Sequence, residues 1–263
     1  MFQMDAMQLR EQIYRGALPL LKGRRVTDLV VGLSILAVEL DEKDLGIGYV
    51  LRDELGGGCS IFPYASGAVG MSAEEVGRWF VDGGDDVQRG IGGAVINAAS
   101  QALPLQDQDS QEEPFGLCFK PTDTIDMVGM IRPVIMRLKR FGCRWIIFDK
   151  GKCANGNAAE DIYPMERQAE LLPQCDVVFL SGTTTINGSA APLLELTKNA
   201  RAVVLVGSSV PMIPEGYAGT NVTVLAGSWW RHEDKEELFR LNSQAAGMQT
   251  LGRFMVKKNV HLD

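Results

Sequence analysis

DVVFLSG at residues 176–182 and RAVVLVG at residues 201–207 decide the fold class of this chain. Each stretch is a short apolar run that ends in glycine, which is typical of a strand buried on both faces of a parallel sheet. Three further runs have the same character: IDMVGM (125–130), RWIIFD (144–149) and NVTVLAG (221–227). Helical patterns separate or follow these runs at residues 133–141, 163–172, 189–198 and 232–246. The alternation predicts an α/β fold with a Rossmann-like, doubly wound parallel sheet over residues 111–263.

The N-terminal part has a different pattern. Three β-rich runs follow one another with short connections, at residues 26–32, 35–40 and 46–52. Consecutive strands of this kind predict a three-stranded antiparallel meander. We therefore predict a separate α+β domain over residues 1–110, joined to the second domain by a polar linker at residues 105–114.

Helices complete the N-terminal domain. A helical pattern covers residues 3–21. Ser72, with Glu75 three positions later, forms a capping box for a second helix, and Asp85 or Asp86 opens a third. A glycine-rich loop at residues 56–70 separates the meander from these two helices.

The amino-acid composition argues against two classes of binding partner, nucleic acids and membranes. The net charge is −7 and no long basic run occurs, which argues against nucleic acid. No apolar run approaches the ~20 residues needed to span a bilayer, and early charges make the first residues unlike a signal peptide. The five cysteines are widely spaced without a CxxC pair, which indicates reduced thiols. We expect a cytoplasmic protein with neither a membrane nor a nucleic-acid partner.

Polar residues gather after the predicted strands, where open parallel sheets bind ligands. Glycines there let the backbone approach a ligand, hydroxyls can orient its oxygens, and amides at a helix start suit an anion. The predicted ligand-binding residues in these loops are Gly129, Arg132, Asp149, Gly182, Thr183, Thr184, Asn187, Gly207, Ser208, Ser209, Pro211, Gly227 and Ser228. Together they predict a site for a small anionic or chelating ligand.

The first of these loops bears on the choice of cofactor. It reads GMIRPV from Gly129 instead of GxGxxG, and Pro133 stands where the pyrophosphate turn would tighten. This departure argues against ordinary NAD or FAD binding. Asp149 follows Gly129 by 20 positions, and an acidic residue at about this offset can hold a ribose hydroxyl. An adenosine-containing cofactor therefore stays open as an alternative.

Side chains that could ligate a metal are present without a diagnostic spacing. His232 and His261 are the only histidines, with no HxH or HExxH pattern. Cys153 fits either a soft ligand, a reactive thiol or an ordinary loop cysteine. Carboxylates are available at Glu39, Asp149, Glu160 and Asp161. No nucleophile elbow or Ser–His–Asp order occurs, so these residues identify neither a metal nor a catalytic group.

Asn97 is the one N-terminal residue that we place in the site. It lies in the helical stretch GIGGAVINA (90–98), a polar side chain among small and apolar neighbours. A buried asparagine needs hydrogen-bond partners, and these could come from the domain interface or from a ligand.

Four stretches together, GIGGAVINA (90–98), SGTTTING (181–188), VGSSVP (206–211) and LAGS (225–228), resemble the putative heavy-metal chelation family. The resemblance covers nearly the whole chain. It implies an enolase N-terminal-like domain, a Rossmann-like domain and a site in the cleft between them. It also implies that two copies of the chain form a homodimer. Position by position it implicates Asn97, Gly182, Thr183, Thr184, Asn187, Gly207, Ser209, Pro211 and Gly227. Where the family usually has Pro-Ser-Thr-Pro, this chain has Ser-Ser-Val-Pro, so Val210 supplies no threonine hydroxyl.

Three functions fit these observations. The leading hypothesis is a protein that handles a metal complex or another small molecule between its domains, either by chelating a transition metal or by inserting a metal into an organic ligand. The second is an enzyme that uses an adenosine-containing cofactor such as S-adenosylmethionine. The third is a non-enzymatic sensor that closes its domains on a metabolite.

Overall fold

The computed structural model describes residues 4–51, 62–151 and 162–262. Part of the glycine-rich loop at 56–70 therefore lies outside the described residues, as do Cys153, Glu160 and Asp161. Among the helices that are described, none has the length and apolar character needed to cross a membrane.

The N-terminal part opens with helix α1 (Ala6–Leu21), which begins at a capping box between Asp5 and Gln8. Strands β1 (Val26–Val31), β2 (Ile35–Leu40) and β3 (Leu45–Tyr49) follow and pair in chain order. Both pairings are antiparallel, which confirms the predicted meander. Every residue of the central strand β2 is buried, because the sheet is covered on both faces.

Three helices, α2 (Ala65–Ala68), α3 (Ala73–Asp82) and α4 (Asp86–Ala99), come next. Ser72 accepts the Glu75 amide at the start of α3, and Asp85 accepts the first amides of α4, as the sequence predicted. Helix α4 is almost wholly buried. It packs so closely on β3 that a side chain at Gly46 would collide with the Ala94 carbonyl.

The C-terminal part contains strands β4 (Thr124–Val128), β5 (Arg144–Phe148), β6 (Val177–Ser181), β7 (Ala202–Val206), β8 (Val224–Trp230) and β9 (Met255–His261). Within the described residues they form one sheet in the order β5-β4-β6-β7-β8-β9. Pairing is parallel from β5 through β8. The chain therefore has the predicted fold class, an N-terminal α+β part with a Rossmann-like parallel sheet.

Short helices connect these strands: α5 (Arg132–Leu138), α6 (Gln168–Leu171), α7 (Thr183–Asn187), α8 (Ala190–Leu196), α9 (Lys235–Ser243) and α10 (Met248–Leu251). Helix α6 is much shorter than the pattern at 163–172 predicted, and α7 lies where the sequence predicted a loop. Its threonines favour strands or caps, but tertiary contacts at both of its ends hold a helical turn.

Strand β9 and the end of β8 correct the sequence prediction. Strand β9 runs antiparallel to β8 at the edge of the sheet and was not predicted, because its lysines break the apolar pattern of a buried strand. Strand β8 continues to Trp230, so the predicted loop at Gly227 and Ser228 is wrong: both residues lie inside the strand. Pairing with β9 extends β8 beyond its parallel neighbour.

The segment predicted as a linker is tied down. The Gln108 amide donates to the Asn259 carbonyl at 2.8 Å, and Arg137 Nη1 donates to Asp109 Oδ2 at 2.7 Å. The two parts also share apolar cores. One cluster combines α1 and α4 with one face of the parallel sheet, and another combines β2 and β3 with Trp230 and α9. The polar segment is therefore held in place by contacts with β9 and α5, and shared apolar cores join the two parts that it connects.

Candidate functional site

The turn after β4 and the end of β5 meet at the carboxyl end of the sheet. Gly129 adopts φ +86°, and its amide donates to the Phe148 carbonyl at 2.7 Å. The Met130 amide donates to Asp149 Oδ2 at 2.8 Å. A β-carbon at Gly129 would lie 2.9 Å from Ser181 Cβ, so this position requires glycine both for its dihedral angle and for its approach to β6.

Two hydroxyls stand beside this turn. Ser181 ends β6, and its Oγ lies 2.9 Å from Thr183 Oγ1. Both residues are half-buried. The next two hydroxyls are bound to the backbone. Thr184 Oγ1 donates to the Ser181 carbonyl at 2.7 Å, and Thr185 Oγ1 donates to the Gly182 carbonyl at 2.8 Å. Ser181 and Thr183 bond to each other, so the pair keeps one hydroxyl proton for a ligand at the start of α7.

The end of β7, at Gly207, lies beside the turn after β4. Gly207 adopts φ +112°, a left-handed value that favours glycine, and it is half-buried. The nearest atom to a β-carbon at this position would be Ile131 Cδ1 at 4.0 Å, so Gly207 borders the turn after β4. We call this set the carboxyl edge: Gly129, Asp149, Ser181, Thr183 and Gly207.

A second set of predicted residues lies buried between the two parts of the chain. Asn97 Nδ2 donates to the Ser208 carbonyl at 3.2 Å, and Asn97 Oδ1 accepts the Met212 amide at 3.2 Å. Ser209 Oγ accepts the Tyr49 amide at 2.9 Å. Both polar ends of Asn97 and the hydroxyl of Ser209 thus have protein partners across the interface. These contacts fix the loop after β7 against α4 and β3.

Two arginines from the N-terminal part fix the other end of α7. Arg10 Nη1 and Arg89 Nε donate to the same carbonyl, that of Ile186, at 2.9 and 3.0 Å. Cations at the carboxyl end of a helix satisfy its last carbonyls and its dipole. Burial, together with the nearby charge of Arg89, lowers the pKa of Arg10. The helix that carries Thr183 is therefore positioned from α1 and α4.

The remaining predicted residues do not join the carboxyl edge. Asn187 is exposed at the far end of α7, where its Oδ1 accepts the Ser189 amide at 3.0 Å. The Pro211 carbonyl accepts the hydroxyl of buried Tyr217 at 3.1 Å. Gly227, inside β8, packs against Met212, whose sulfur leaves no space for a β-carbon there. Arg132 is exposed at the first position of α5.

Gly182 and Ser228 are also buried. Gly182 is pressed against the loop after β7, since a β-carbon there would lie 2.5 Å from the Val210 amide nitrogen. Ser228 Oγ has no hydrogen-bond partner among the described residues.

Asp28, Glu39 and His232 carry side chains of the kinds that bind metals, but they form an ion-pair network with Lys235. Lys235 Nζ lies 2.9 Å from Glu39 Oε2 and 2.9 Å from Asp28 Oδ2, and His232 Nε2 lies 3.1 Å from Glu39 Oε1. Burial alone would raise the pKa of Glu39, but hydrogen bonds from Lys235 and Thr27 outweigh it and hold that pKa below its usual range. Residues 4–51, 62–151 and 162–262 bring no three of His, Cys, Asp and Glu together as metal ligands.

The sequence did not indicate Ser181, which belongs to the carboxyl edge, Tyr49, whose amide donates to Ser209, or Trp230, which packs on β2 and β3. Ser181 could have been found, because it is the last residue of its strand and its hydroxyl therefore reaches the ligand-binding end of the sheet. Tyr49 and Trp230 carry no such signal, because their importance depends on how the two parts of the chain pack together.

Two family models match this chain, one over its C-terminal part and one over its N-terminal part. Residues 115–261 match the DUF364 family and residues 14–100 match the DUF4213 family, both described as "Putative heavy-metal chelation". An uncharacterized protein of Methanocaldococcus jannaschii is 29% identical over 174 residues, which cover 60% of this chain and 61% of that protein. The match therefore spans less than two thirds of the relative's length.

Two solved structures have the same fold. A DUF364 protein of unknown function from Pyrococcus horikoshii superposes with a TM-score of 0.77 at 23% identity, covering 97% of this chain and 100% of that one. Another, from Desulfitobacterium hafniense, superposes with a TM-score of 0.77 at 20% identity, covering 97% and 98%. Identities this low establish the fold alone.

Proposed function

The chain belongs to the DUF364 family, described as putative heavy-metal chelation, and we propose that it binds a small anionic chelator, with its metal as cargo, at the carboxyl edge. One observation carries the proposal. Three strand ends bring half-buried glycines and the Ser181–Thr183 hydroxyl pair to one place. Parallel α/β sheets bind ligands at this end.

The chemistry of the carboxyl edge suits an oxygen-rich ligand. The bonded Ser181–Thr183 pair can donate one hydroxyl proton to a carboxylate oxygen and can also accept from a ligand hydroxyl. The half-buried position strengthens such hydrogen bonds relative to those in open water. Exposed Arg132, at the start of α5, supplies positive charge to attract an anion.

The donor set favours a metal that arrives already chelated. The described side chains of the carboxyl edge that could ligate a metal carry oxygen, on Asp149, Ser181 and Thr183. Oxygen ligands suit hard cations, whereas heavy metals prefer nitrogen and sulfur. These residues fit the organic part of a chelate better than a bare heavy-metal ion, because the chelator occupies the coordination sites of the metal and presents oxygens that the hydroxyls can bind.

Equilibrium dialysis against nickel(II), with and without citrate, tests the proposal. We expect the protein to retain nickel and citrate together, in proportion to protein, and to retain less nickel when citrate is left out. The double variant Ser181→Ala/Thr183→Val removes two hydrogen bonds and should weaken retention about tenfold or more.

Thr197→Val is the matched control, because this buried hydroxyl donates to the Leu194 carbonyl at the end of α8, away from the carboxyl edge. The control should retain nickel citrate like the wild type. Equal retention by the double variant, or none by the wild type, would contradict the proposal.

An adenosine-containing cofactor remains a second proposal, supported by Asp149. Its carboxylate ties the end of β5 to the turn after β4 through the Met130 amide, which is where a ribose would lie in a related sheet. Adenosine or S-adenosylmethionine should then raise the melting temperature of the wild type but not of Asp149→Ala. No shift at millimolar nucleoside would dismiss this alternative.

A further inference from the structure

Three buried polar groups, on β8 and in the loop after β7, have no good acceptor among the described residues. Ser208 and Ser228 are each 4% exposed and Trp230 is 2% exposed. Ser228 Oγ and Trp230 Nε1 have no hydrogen-bond partner in the part of the chain that the structure describes. Ser208 Oγ donates to the sulfur of Met255 at 3.8 Å, its one hydrogen bond within residues 4–51, 62–151 and 162–262, and a thioether is a weak acceptor.

The strand register and one contact relate these three groups. Ser228 and Trp230 are two positions apart in β8, so their side chains lie on the same face of the sheet. Met255 of β9 pairs with Trp230 in the strand register and also contacts Ser208. We call the three residues Ser208, Ser228 and Trp230 the donor recess.

Two further residues border the donor recess. Tyr49, at the end of β3, packs in the same apolar cluster as Trp230, and its amide is fixed by Ser209. Burial raises the pKa of Tyr49, so its hydroxyl is a neutral donor at physiological pH. Lys257 pairs with Ser228 across β8 and β9 and is exposed, which places a positive charge at the same level of the sheet.

The chemistry of the donor recess defines what it would bind. An indole N–H can only donate, and each hydroxyl can donate as well. Buried donors without acceptors destabilise a fold, so a cluster of them indicates that something supplies the acceptors. Neutral donors beside a lysine suit an oxyanion better than a cation.

We infer that the donor recess is a second subsite, which takes a carboxylate group of the ligand bound at the carboxyl edge. Gly207 belongs to that edge and Ser208, the next residue, belongs to the recess, so one molecule with several carboxylates can reach both. This inference rests on the proposed function and adds to it the ligand class, a polycarboxylate.

Citrate binding by Ser228→Ala and Trp230→Phe tests the subsite, with affinity measured by calorimetry and stability by thermal melting without ligand. Ser228→Ala removes a donor that has no partner among the described residues, so it should not lower the melting temperature of the free protein. Trp230→Phe also leaves a gap in the apolar cluster and should lower that temperature, so only its citrate affinity tests the subsite. Each variant should weaken citrate binding about three- to tenfold, the effect of one lost hydrogen bond. Citrate should also change the tryptophan fluorescence of the wild type but not that of Trp230→Phe.

Thr197→Val is the control with the opposite behaviour, because its hydroxyl has a protein acceptor. It should lower the melting temperature and leave citrate affinity unchanged. Wild-type citrate affinity in both Ser228→Ala and Trp230→Phe would overturn the subsite. If Ser181→Ala/Thr183→Val alone loses citrate, the carboxyl edge stands and the donor recess falls. If the wild type binds no citrate, both fall.

Discussion

Replacing Asp126 by asparagine should stabilise this protein at neutral pH. Asp126 lies in the middle of β4, fully buried, with apolar Ile146 and Val178 as its register neighbours. Neither carboxyl oxygen has a hydrogen-bond partner of ordinary geometry among the described residues. Burial raises the pKa of Asp126 well above its usual range, and the nearby Met127 amide opposes this only in part.

The magnitude follows from proton linkage. In the unfolded chain an aspartate has a pKa of about 3.9, so at pH 7 it is ionised. If the folded state keeps Asp126 protonated, it must take up a proton at pH 7, which costs up to about 4 kcal/mol. Because the folded pKa is raised, this penalty is absent below the unfolded pKa and grows as the pH rises toward the folded pKa. An asparagine side chain has a similar shape and does not ionise, so Asp126→Asn should recover most of the penalty.

Urea unfolding of the wild type and Asp126→Asn at pH 4.5 and pH 7.0 measures this effect. We expect the advantage of the variant to be about 3 kcal/mol larger at pH 7.0 than at pH 4.5. Asp123→Asn is the control of opposite sign, because buried Asp123 pairs with Arg201 at 2.6 Å and its loss should destabilise the fold. A pH-independent difference for Asp126→Asn would refute the reasoning, since it would mean that the carboxylate is ionised and compensated inside the fold.

Three further predictions concern the interface and the thiols. Asn97→Ala should lower the free energy of unfolding by about 2–3 kcal/mol, because it leaves a buried amide and a buried carbonyl without partners; an unchanged denaturation midpoint would contradict the interface role. Glu39→Gln should destabilise by about 1.5–3 kcal/mol above pH 5 through loss of the charged bond from Lys235. Since the folded pKa of Glu39 is lowered, that difference should begin to shrink as the pH falls below about 4.3, the pKa in the unfolded chain, and should vanish only below the folded pKa; a difference that does not change with pH would count against it. Burial, with a contribution from Asp126, raises the pKa of Cys175 to about 12, so iodoacetamide at pH 8 should label exposed Cys118 while peptide mass spectrometry finds Cys175 unmodified.

The sequence was sufficient for the fold where the apolar pattern is strong. The runs around Val178 and Val204 are uninterrupted, and buried parallel strands followed directly from them. Strand β9 was not predicted because Lys257 and Lys258 interrupt its apolar pattern, although lysines are tolerated at the edge of a sheet. An edge strand is stabilised by pairing with its neighbour more than by the character of its own residues.

The site was only partly predictable for a related reason. Gly129, Asp149, Thr183 and Gly207 could be placed because strand ends share one side of a parallel sheet whatever else surrounds them. The partners of Asn97 could not be assigned, because they depend on contacts between segments more than 100 positions apart in the chain. Gly227 and Ser228 were misplaced, because the extension of β8 depends on pairing with the unpredicted β9.

Anomalous scattering at the nickel absorption edge, from crystals grown with nickel(II) and citrate, tests the central claim most directly. We expect one ordered nickel citrate per chain, with citrate oxygens within hydrogen-bond distance of Ser181 Oγ and Thr183 Oγ1. Nickel citrate bound elsewhere on the chain, with the carboxyl edge occupied by solvent alone, would contradict it.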